Sequence, residues 1–539
     1  MTSLLDVTTG LRPAAPARHG LAELLRAFPD LRVADGSGGG VGADDAGTVG
    51  IGTVAVTGVT LNSRTVQPGD LYAALPGARA HGADFADQAL AAGAAAVLTD
   101  PSGAARLSPA QGSGGPRGVP VLLADDPRGR LGAVASWVYD DPTATLRLLG
   151  VTGTNGKTTV TYLLDAGLRG AGATTGLIGT VETRVAGRAV ASTRTTPEAP
   201  DLQGLFAAMV EAGVDSASME VSSHALALHR VDGCSFAGAA FTNLSQDHLD
   251  FHSSMEEYFE AKAMLFAPER SAVAVVDVDD EAGRRLLERR PDAVAVSGRG
   301  DPGRPGSWWA NAVTTEATRS TFTLRGPHGL ALPVEVPMPG AFNVANAVVA
   351  LALLAETGVD PEAAAAGIAA LGGVPGRMEK VDAGQPFLAV VDYAHTPAAV
   401  ATLLATVRRV VSGRVVVVLG CGGDRDRGKR PLMGEAAVRG ADVAVLTSDN
   451  PRSEDPRDIL EAMVAGARAV PEQQRGRLEV EIDRAEAIRL AVAAAGPGDA
   501  VVVAGKGHET GQTIGDVVTP FDDRSVLRET LLTAAQAAR

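Results

Sequence analysis

The sequence predicts an α/β protein of about three or four units built on parallel sheets. Its 539 residues exceed what one core covers, since single hydrophobic cores stop growing near roughly 250–300 residues. Short apolar runs alternate with longer Ala/Leu-rich helical patterns: LRLLGV (146–151) precedes KTTVTYLLDAGLRG (157–170), and RVVVVLG (414–420) precedes KRPLMGEAAVRG (429–440). Strand then helix, repeated, argues for parallel strands covered by helices. The first pair is joined by a Gly-containing turn opening on Lys-Thr, and such sheets bind ligands at the carboxyl ends of their strands.

Along the chain, Gly-rich ADGSGGGVGADDAGTVG (34–50) and SPAQGSGGPRG (108–118) read as flexible linkers, and SGRGDPGRPGS (297–307) as a surface excursion inside a larger domain. The boundaries expected are 1–144, with roughly the first 50 residues partly flexible, then 145–376 and 377–539. Hydrophobic content of 45% with 21% charged residues is that of a soluble globular protein. A net charge of −15 argues against nucleic acid or an anionic membrane as the main partner, leaving room for a local basic site for a small anion. Cys234 and Cys421 form no metal or redox motif, the N-terminus lacks a signal-peptide pattern, and no run approaches the roughly 20 apolar residues of a membrane span. The expectation is a cytoplasmic monomer acting on small molecules.

LLGVTGTNGKTTV (148–160) is an apolar strand, a turn and a helix start. It departs from G-x-x-x-x-G-K-[ST], because Val151 stands where the first Gly belongs. What remains, Gly153-Thr154-Asn155-Gly156-Lys157-Thr158-Thr159, lets backbone N–H groups converge on phosphate at a helix N-terminus. Lys157 can reach the terminal phosphates of a nucleotide such as ATP, and the Thr158 hydroxyl can hold Mg²⁺. The bland alternative is a tight strand–helix turn with an incidental Lys.

Downstream, SMEVSSHALALHRV (218–231) and AFTNLSQDHLDFH (240–252) each follow an apolar stretch. Glu220, at a strand end, suits a hard cation that takes carboxylate oxygens. Four of nine histidines (His224, His229, His248 and His252) fall in this region, where a lone Glu or His would be read as merely solvated. Of the 48 cationic residues, only Lys157, Lys262, Lys380, Lys429 and Lys506 are lysine. Lys262 lies on the helical stretch YFEAKAMLF (258–266). A neutral Lys amine reacts with CO₂ to give a carbamate, an anionic metal ligand, which arginine cannot do because it is never neutral in practice. The plain alternative is a helix-surface lysine.

TGTNGKTT, MEVSSHAL, FTNLSQDHLDFH and the Lys of EAKAMLF together resemble the Mur ligase family, ATP-dependent amino-acid ligases of peptidoglycan precursor and cell-wall synthesis. The resemblance runs in order from about residue 60 to the C-terminus. It implies a central P-loop ATPase domain between an N-terminal uridine-nucleotide domain and a C-terminal Rossmann-like domain. It also implies that Lys262 is carbamylated and bridges Mg²⁺ beside His248, with Glu220 and Thr158 near another Mg²⁺. GAFNVANAVVA (340–350) supplies Asn343 and Asn346 for adenine, VPGRMEKV (374–381) supplies Arg377, and VVDYAHTP (390–397) supplies Asp392 and His395 around a hinge. Without the family, Asn343 reads as an ordinary helix-start residue.

LNSRTVQPGDLYAALPGARAHGADF (61–85) resembles the family's uridine-binding segment, implying that Leu61, Ser63 and Ala78-Arg79-Ala80 lie near the UDP moiety. TRTTPEAP (193–200) resembles the branch that adds the third stem-peptide residue. Thr195, Thr196, Ser222 and Arg230 would hold the muramoyl-dipeptide, while Leu228 departs from the Gln of some members. LTSDNPRSEDP (446–456) matches the branch's meso-diaminopimelate motif: Asp449-Asn450-Pro451-Arg452, with Arg452 able to fork onto a carboxylate. Arg425, Gly505 and Glu509 are further candidates for that pocket. The implied reaction passes through an acyl phosphate and forms ADP. The alternatives weighed are L-lysine as acceptor, a folylpolyglutamate synthetase-like ligase, and a nucleotide-binding regulator without turnover.

Overall fold

The computed structural model describes residues 11–34, 40–41, 51–107, 119–190 and 194–537, and the chain divides into two compact units. The first comprises Met1–Gly150, Ala173–Gly238 and Met264–Ala272, and the second Val151–Gly172, Ala239–Ala263 and Val273–Arg539. The expected linker at 108–118 and most of the one at 34–50 fall outside the described residues.

In the first unit a six-stranded sheet runs Gly40–Val41, Arg32–Ala34, Val121–Leu123, Ala96–Thr99, Asp70–Ala73, Gly58–Thr60. Its last four strands are parallel. Alternation of side chains across a strand gives the sheet two apolar faces. Leu71, Ala73, Leu98 and Leu122 pack with Leu131, Val134 and Val138 of helix Pro127–Val138. Tyr72, Val97 and Val121 pack on the other side with Ala86, Ala89 and Leu107. Within the N-terminal stretch expected to be partly flexible, helix Leu21–Ala27 buries Leu21, Leu24 and Leu25 in the first of these cores.

The same unit carries strands Thr175–Ile178 and Ser216–Glu220 in parallel. Antiparallel Thr183–Val185 and Arg188–Val190 extend them outward. In the second unit, strands Ser271–Asp277, Val294–Ser297 and Trp308–Thr315 pair in parallel, and antiparallel Ser320–Arg325 and Ala331–Val336 follow. These antiparallel strands differ from the all-parallel expectation, because short connections permit only hairpins. The expected excursion at 297–307 is the largely exposed loop leading into Trp308–Thr315.

Helix Lys157–Gly170 packs on Ala341–Glu356 and Pro361–Ala369. The approach is close enough that a Cβ on Gly367 would stand 2.2 Å from the Ala166 carbonyl oxygen. Toward the C-terminus a six-stranded sheet runs Glu379–Lys380, Leu388–Asp392, Ala500–Ala504, Val415–Leu419, Val443–Leu446, Arg477–Val480, all parallel except the first. Its strands are continuous apolar runs because both faces are covered. Val415, Val417 and Leu419 face one core, and Val416 and Val418 face the other. A fully buried Arg484–Asp523 pair, with contacts of 2.8 and 2.7 Å, ties the last two helices together.

Candidate active site

Strand Arg147–Thr152 ends at Gly153 (φ +150°), and Gly156 (φ +89°) precedes helix Lys157–Gly170. Both positions need glycine. A Cβ on Gly153 would lie 1.9 Å from Thr242 Oγ1, and one on Gly156 would lie 2.5 Å from Asn346 Oδ1. The loop is held from outside: Asn155 N donates to Asn243 Oδ1 (3.0 Å), Thr242 Oγ1 donates to the Asn155 carbonyl (2.6 Å), and Thr154 Oγ1 meets Tyr258 Oη at 3.2 Å. Lys157 Nζ donates to the carbonyls of Gly153 (2.8 Å) and Thr154 (3.0 Å). Thr158 and Thr159 are buried in the first turn of the helix.

Lys262 lies on helix Met255–Ala263 and is 1% exposed. Its amine donates to the same Gly153 carbonyl at 2.8 Å and sits 4.4 Å from the ring centroid of Tyr258, one turn earlier on the helix. Burial, reinforced by Lys157, depresses its pKa well below the ordinary lysine value against the opposing pull of Asp247. A lowered pKa favours the uncharged amine, the form that adds to CO₂. His248 is in the left-handed region (φ +56°) and its ring meets Tyr258 edge-on at 6.0 Å.

Asp247, beside His248, is a buried carboxylate among the candidate residues that the sequence reading did not single out. It is 4% exposed, 3.3 Å from Lys429 Nζ and 3.5 Å from both His395 Nε2 and His248 Nε2. Burial alone would raise its pKa; the His395, Lys429 and His248 contacts outweigh it and hold the carboxyl well below its usual range. The available signal was an acidic residue directly preceding a candidate ligand. Tyr258 was readable in the same way, four residues before Lys262.

Of the candidates for adenine and the hinge, Asn346 reaches the phosphate loop and also donates to Asn343 Oδ1 (3.4 Å), whose amide holds the Pro339 carbonyl (2.9 Å). Arg377 donates to Thr158 Oγ1 at 2.8 Å and stacks 4.4 Å over Tyr393. The expected metal-binding hydroxyl therefore accepts from a guanidinium here. Asp392 accepts from the N–H groups of Met378 and Ala394, and burial raises its pKa.

In the first unit Glu220 ends strand Ser216–Glu220 and accepts from Thr180 N (2.7 Å) and Thr180 Oγ1 (3.1 Å). Thr195 Oγ1 meets Thr180 Oγ1 at 2.9 Å, and Thr196 Oγ1 donates to the Glu220 carbonyl at 2.9 Å. Ser222 caps helix Ser223–Ala227. Arg230 pairs with Glu198 at 3.0 Å and donates to the Thr196 carbonyl at 3.4 Å. Thr195, Thr196, Ser222, Arg230 and Glu220 thus form one hydrogen-bonded set, with Glu198 and Arg128 added by the structure. Leu228 contributes its carbonyl to Arg128 (3.4 Å). Farther off in the same unit, Ser63 Oγ donates to Gln88 Oε1 (2.9 Å), Leu61 packs against the sheet core, and Ala78-Arg79-Ala80 is an exposed turn closed by the Pro76–His81 bridge.

Asp449, Asn450 and Pro451 are buried after strand Val443–Leu446. Asn450 Nδ2 donates to Glu509 Oε2 at 2.7 Å, and a Cβ on Gly505 would stand 2.8 Å from Asp449 Oδ2. Arg452 is held left-handed (φ +52°) by Thr513 O and Gly515 N, and its Nη1 donates to the Gly423 carbonyl at 2.7 Å. A side-chain residue in this conformation costs roughly 1–2 kcal/mol, so the surrounding contacts must hold it there. Arg425 is exposed and donates to the neighbouring Asp424 carbonyl, and its stem flanks Gly422 together with the Arg452 guanidinium. Among the described residues no cluster of three or more His, Cys, Asp or Glu is arranged to hold a metal, and no helix is long and apolar enough to cross a membrane.

Three domain families match the chain: the Mur ligase family catalytic domain at residues 55–136, the Mur ligase middle domain at 151–354, and the Mur ligase glutamate ligase domain at 376–507. The chain belongs to the Mur ligase family, whose members are ATP-using amide-bond synthetases. It is 56% identical over 494 residues to a Streptomyces avermitilis protein named UDP-N-acetylmuramoyl-L-alanyl-D-glutamate–2,6-diaminopimelate ligase, covering 91% of this chain and 96% of that one. A solved structure bearing the same name is 34% identical with a TM-score of 0.62, over 89% of this chain and 95% of that chain. A Thermotoga maritima MurF ligase solved in complex with ADP shares the fold at 18% identity and a TM-score of 0.59, over 89% and 98% of the two chains.

Proposed function

We propose that this ligase joins meso-diaminopimelate to the D-Glu γ-carboxylate of UDP-N-acetylmuramoyl-L-alanyl-D-glutamate, in the cytoplasm and as a monomer. The carrying observation is the assembly of Asp449, Asn450, Arg452 and Glu509 around one buried loop. Diaminopimelate differs from lysine by a far-end carboxylate, so its pocket needs a cation as well as acceptors, and Arg452 supplies the fork.

A carboxylate does not form an amide in water without activation. The γ-carboxylate attacks the γ-phosphate of ATP, giving an acyl phosphate and ADP. The phosphate-loop N–H groups and Lys157 stabilise the spreading charge, and Asn343 and Asn346 border the nucleotide. The diaminopimelate amine then displaces phosphate. Thr195, Thr196, Ser222 and Arg230 orient the dipeptide, while Leu61, Ser63 and the 78–80 turn serve the uridine end. Arg377 and Asp392 mark the hinge between a central domain (145–376) and a C-terminal domain (377–539), behind an N-terminal domain (1–144). Mg²⁺ would neutralise phosphate charge when bound; Thr158, His248 and Lys262 are its candidate ligands in the second unit, and Glu220 is one in the first. The buried, depressed Lys262 amine fits conversion to a carbamate, Lys–NH₂ adding to CO₂ with loss of a proton.

Purified protein supplied with the nucleotide, ATP, Mg²⁺ and meso-diaminopimelate is expected to release ADP in amounts equal to the tripeptide nucleotide. Absence of ADP would sink the proposal.

A further inference from the structure

Lys506 lies behind the acceptor loop and is fully buried. An ammonium carries three N–H donors, and this one meets three acceptors: Asn450 Oδ1 at 3.2 Å, Glu509 Oε2 at 3.1 Å and the Gly511 carbonyl at 2.7 Å. Asp449 Oδ1 is 3.8 Å away. The consequences for Asn450 are specific. Its Oδ1 accepts from both Lys506 and Thr513 N (3.0 Å), so its Nδ2 is left to donate to Glu509 Oε2. Glu509 Oε2 in turn is taken by Asn450 and Lys506, while the Glu509 side chain as a whole is 31% exposed. Gly511 opens the hairpin Gly511–Ile514/Val517–Pro520, and that hairpin holds Arg452 through Thr513 O.

We infer that Lys506 is a positioning residue for the amino-acid acceptor. It fixes the orientation of the Asn450 amide, keeps Glu509 Oε2 occupied so that Oε1 faces the acceptor, and anchors the hairpin that sets Arg452. Through these three contacts it tunes recognition of a zwitterionic far end, one ammonium and one carboxylate. Arginine cannot substitute, because its planar fork cannot satisfy three acceptors converging on one nitrogen. The inference rests on the diaminopimelate-adding reading.

The test uses the full-length enzyme with Lys506→Met, Lys506→Gln and Lys506→Arg, scored for folding by near-UV circular dichroism. KM is measured separately for meso-diaminopimelate, ATP and the dipeptide nucleotide. Any folded variant is expected to raise the meso-diaminopimelate KM by about 10- to 100-fold, the loss that goes with a charge-assisted hydrogen bond. The other two KM values stay where they were, and the preference over L-lysine narrows. A folded variant with an unmoved acceptor KM, or with all three KM values rising together, overturns the inference. So does failure of all three variants to fold, which makes Lys506 a structural ion. Unmodified enzyme that ignores meso-diaminopimelate refutes the underlying reading instead.

Discussion

Lys262→Met separates a structural from a chemical role for the buried amine. Met keeps the unbranched stem and removes the nitrogen. The Gly153 carbonyl loses one donor but keeps Lys157 at 2.8 Å, so no acceptor is stranded. Losing that hydrogen bond costs about 0.5–1.5 kcal/mol, while no longer burying an amine returns about 1–3 kcal/mol. Stability should therefore be unchanged or slightly raised. Turnover should fall by roughly 10²–10³-fold, the scale of removing one preorganised electrostatic group. Lys262→Arg, which places a permanent positive charge there and cannot form a carbamate, should be as inactive. The pH dependence has a definite sign. Because the folded amine is depressed, the unfolded chain binds a proton that the folded chain does not. Stability in CO₂-free buffer then rises with pH from that depressed value up to about 10.4, and Lys262→Met flattens the rise. The assay is ADP release beside urea unfolding, with intact-protein mass for one added CO₂. A Lys262→Arg enzyme keeping most of its turnover would refute the reasoning.

Lys429→Met leaves Asp247 a buried carboxylate without its ammonium and should cost about 3 kcal/mol, read as a shift in urea midpoint. Asp247 itself is depressed, so its stabilising contribution is complete above about pH 3.9 and is lost as pH falls toward its folded value. Asp247→Asn should flatten that acid limb. Gly153→Ala forces a Cβ against Thr242 and should cost about 1–3 kcal/mol while raising the KM for ATP. Arg484→Met strands Asp523 inside the C-terminal sheet layer and should cost about 3–5 kcal/mol with little change in any KM of the refolded enzyme.

The strand–helix pairs were legible because their signals are local. Helices Lys157–Gly170 and Lys429–Gly440 span the very residues that their apolar patterns mark. The antiparallel strands were not, since Ser320–Arg325 and Ala331–Val336 carry mixed burial and pair with each other only through hairpin closure. Lys262 could be singled out by its rarity, but its burial and its shared carbonyl with Lys157 depend on residues 109 positions apart. Asp247 escaped for the same reason: Lys429 and His395 reach it from far along the chain. Lys380, unexplained by sequence, is an exposed partner of Asp382 at 2.7 Å.

Acceptor choice is the most direct test of the whole account. With the dipeptide nucleotide and ATP held constant, product mass is compared after incubation with meso-diaminopimelate or L-lysine. The Arg452 pocket predicts the diaminopimelate tripeptide nucleotide with little of the lysine product. Equal use of both acceptors, or preference for L-lysine, would contradict it.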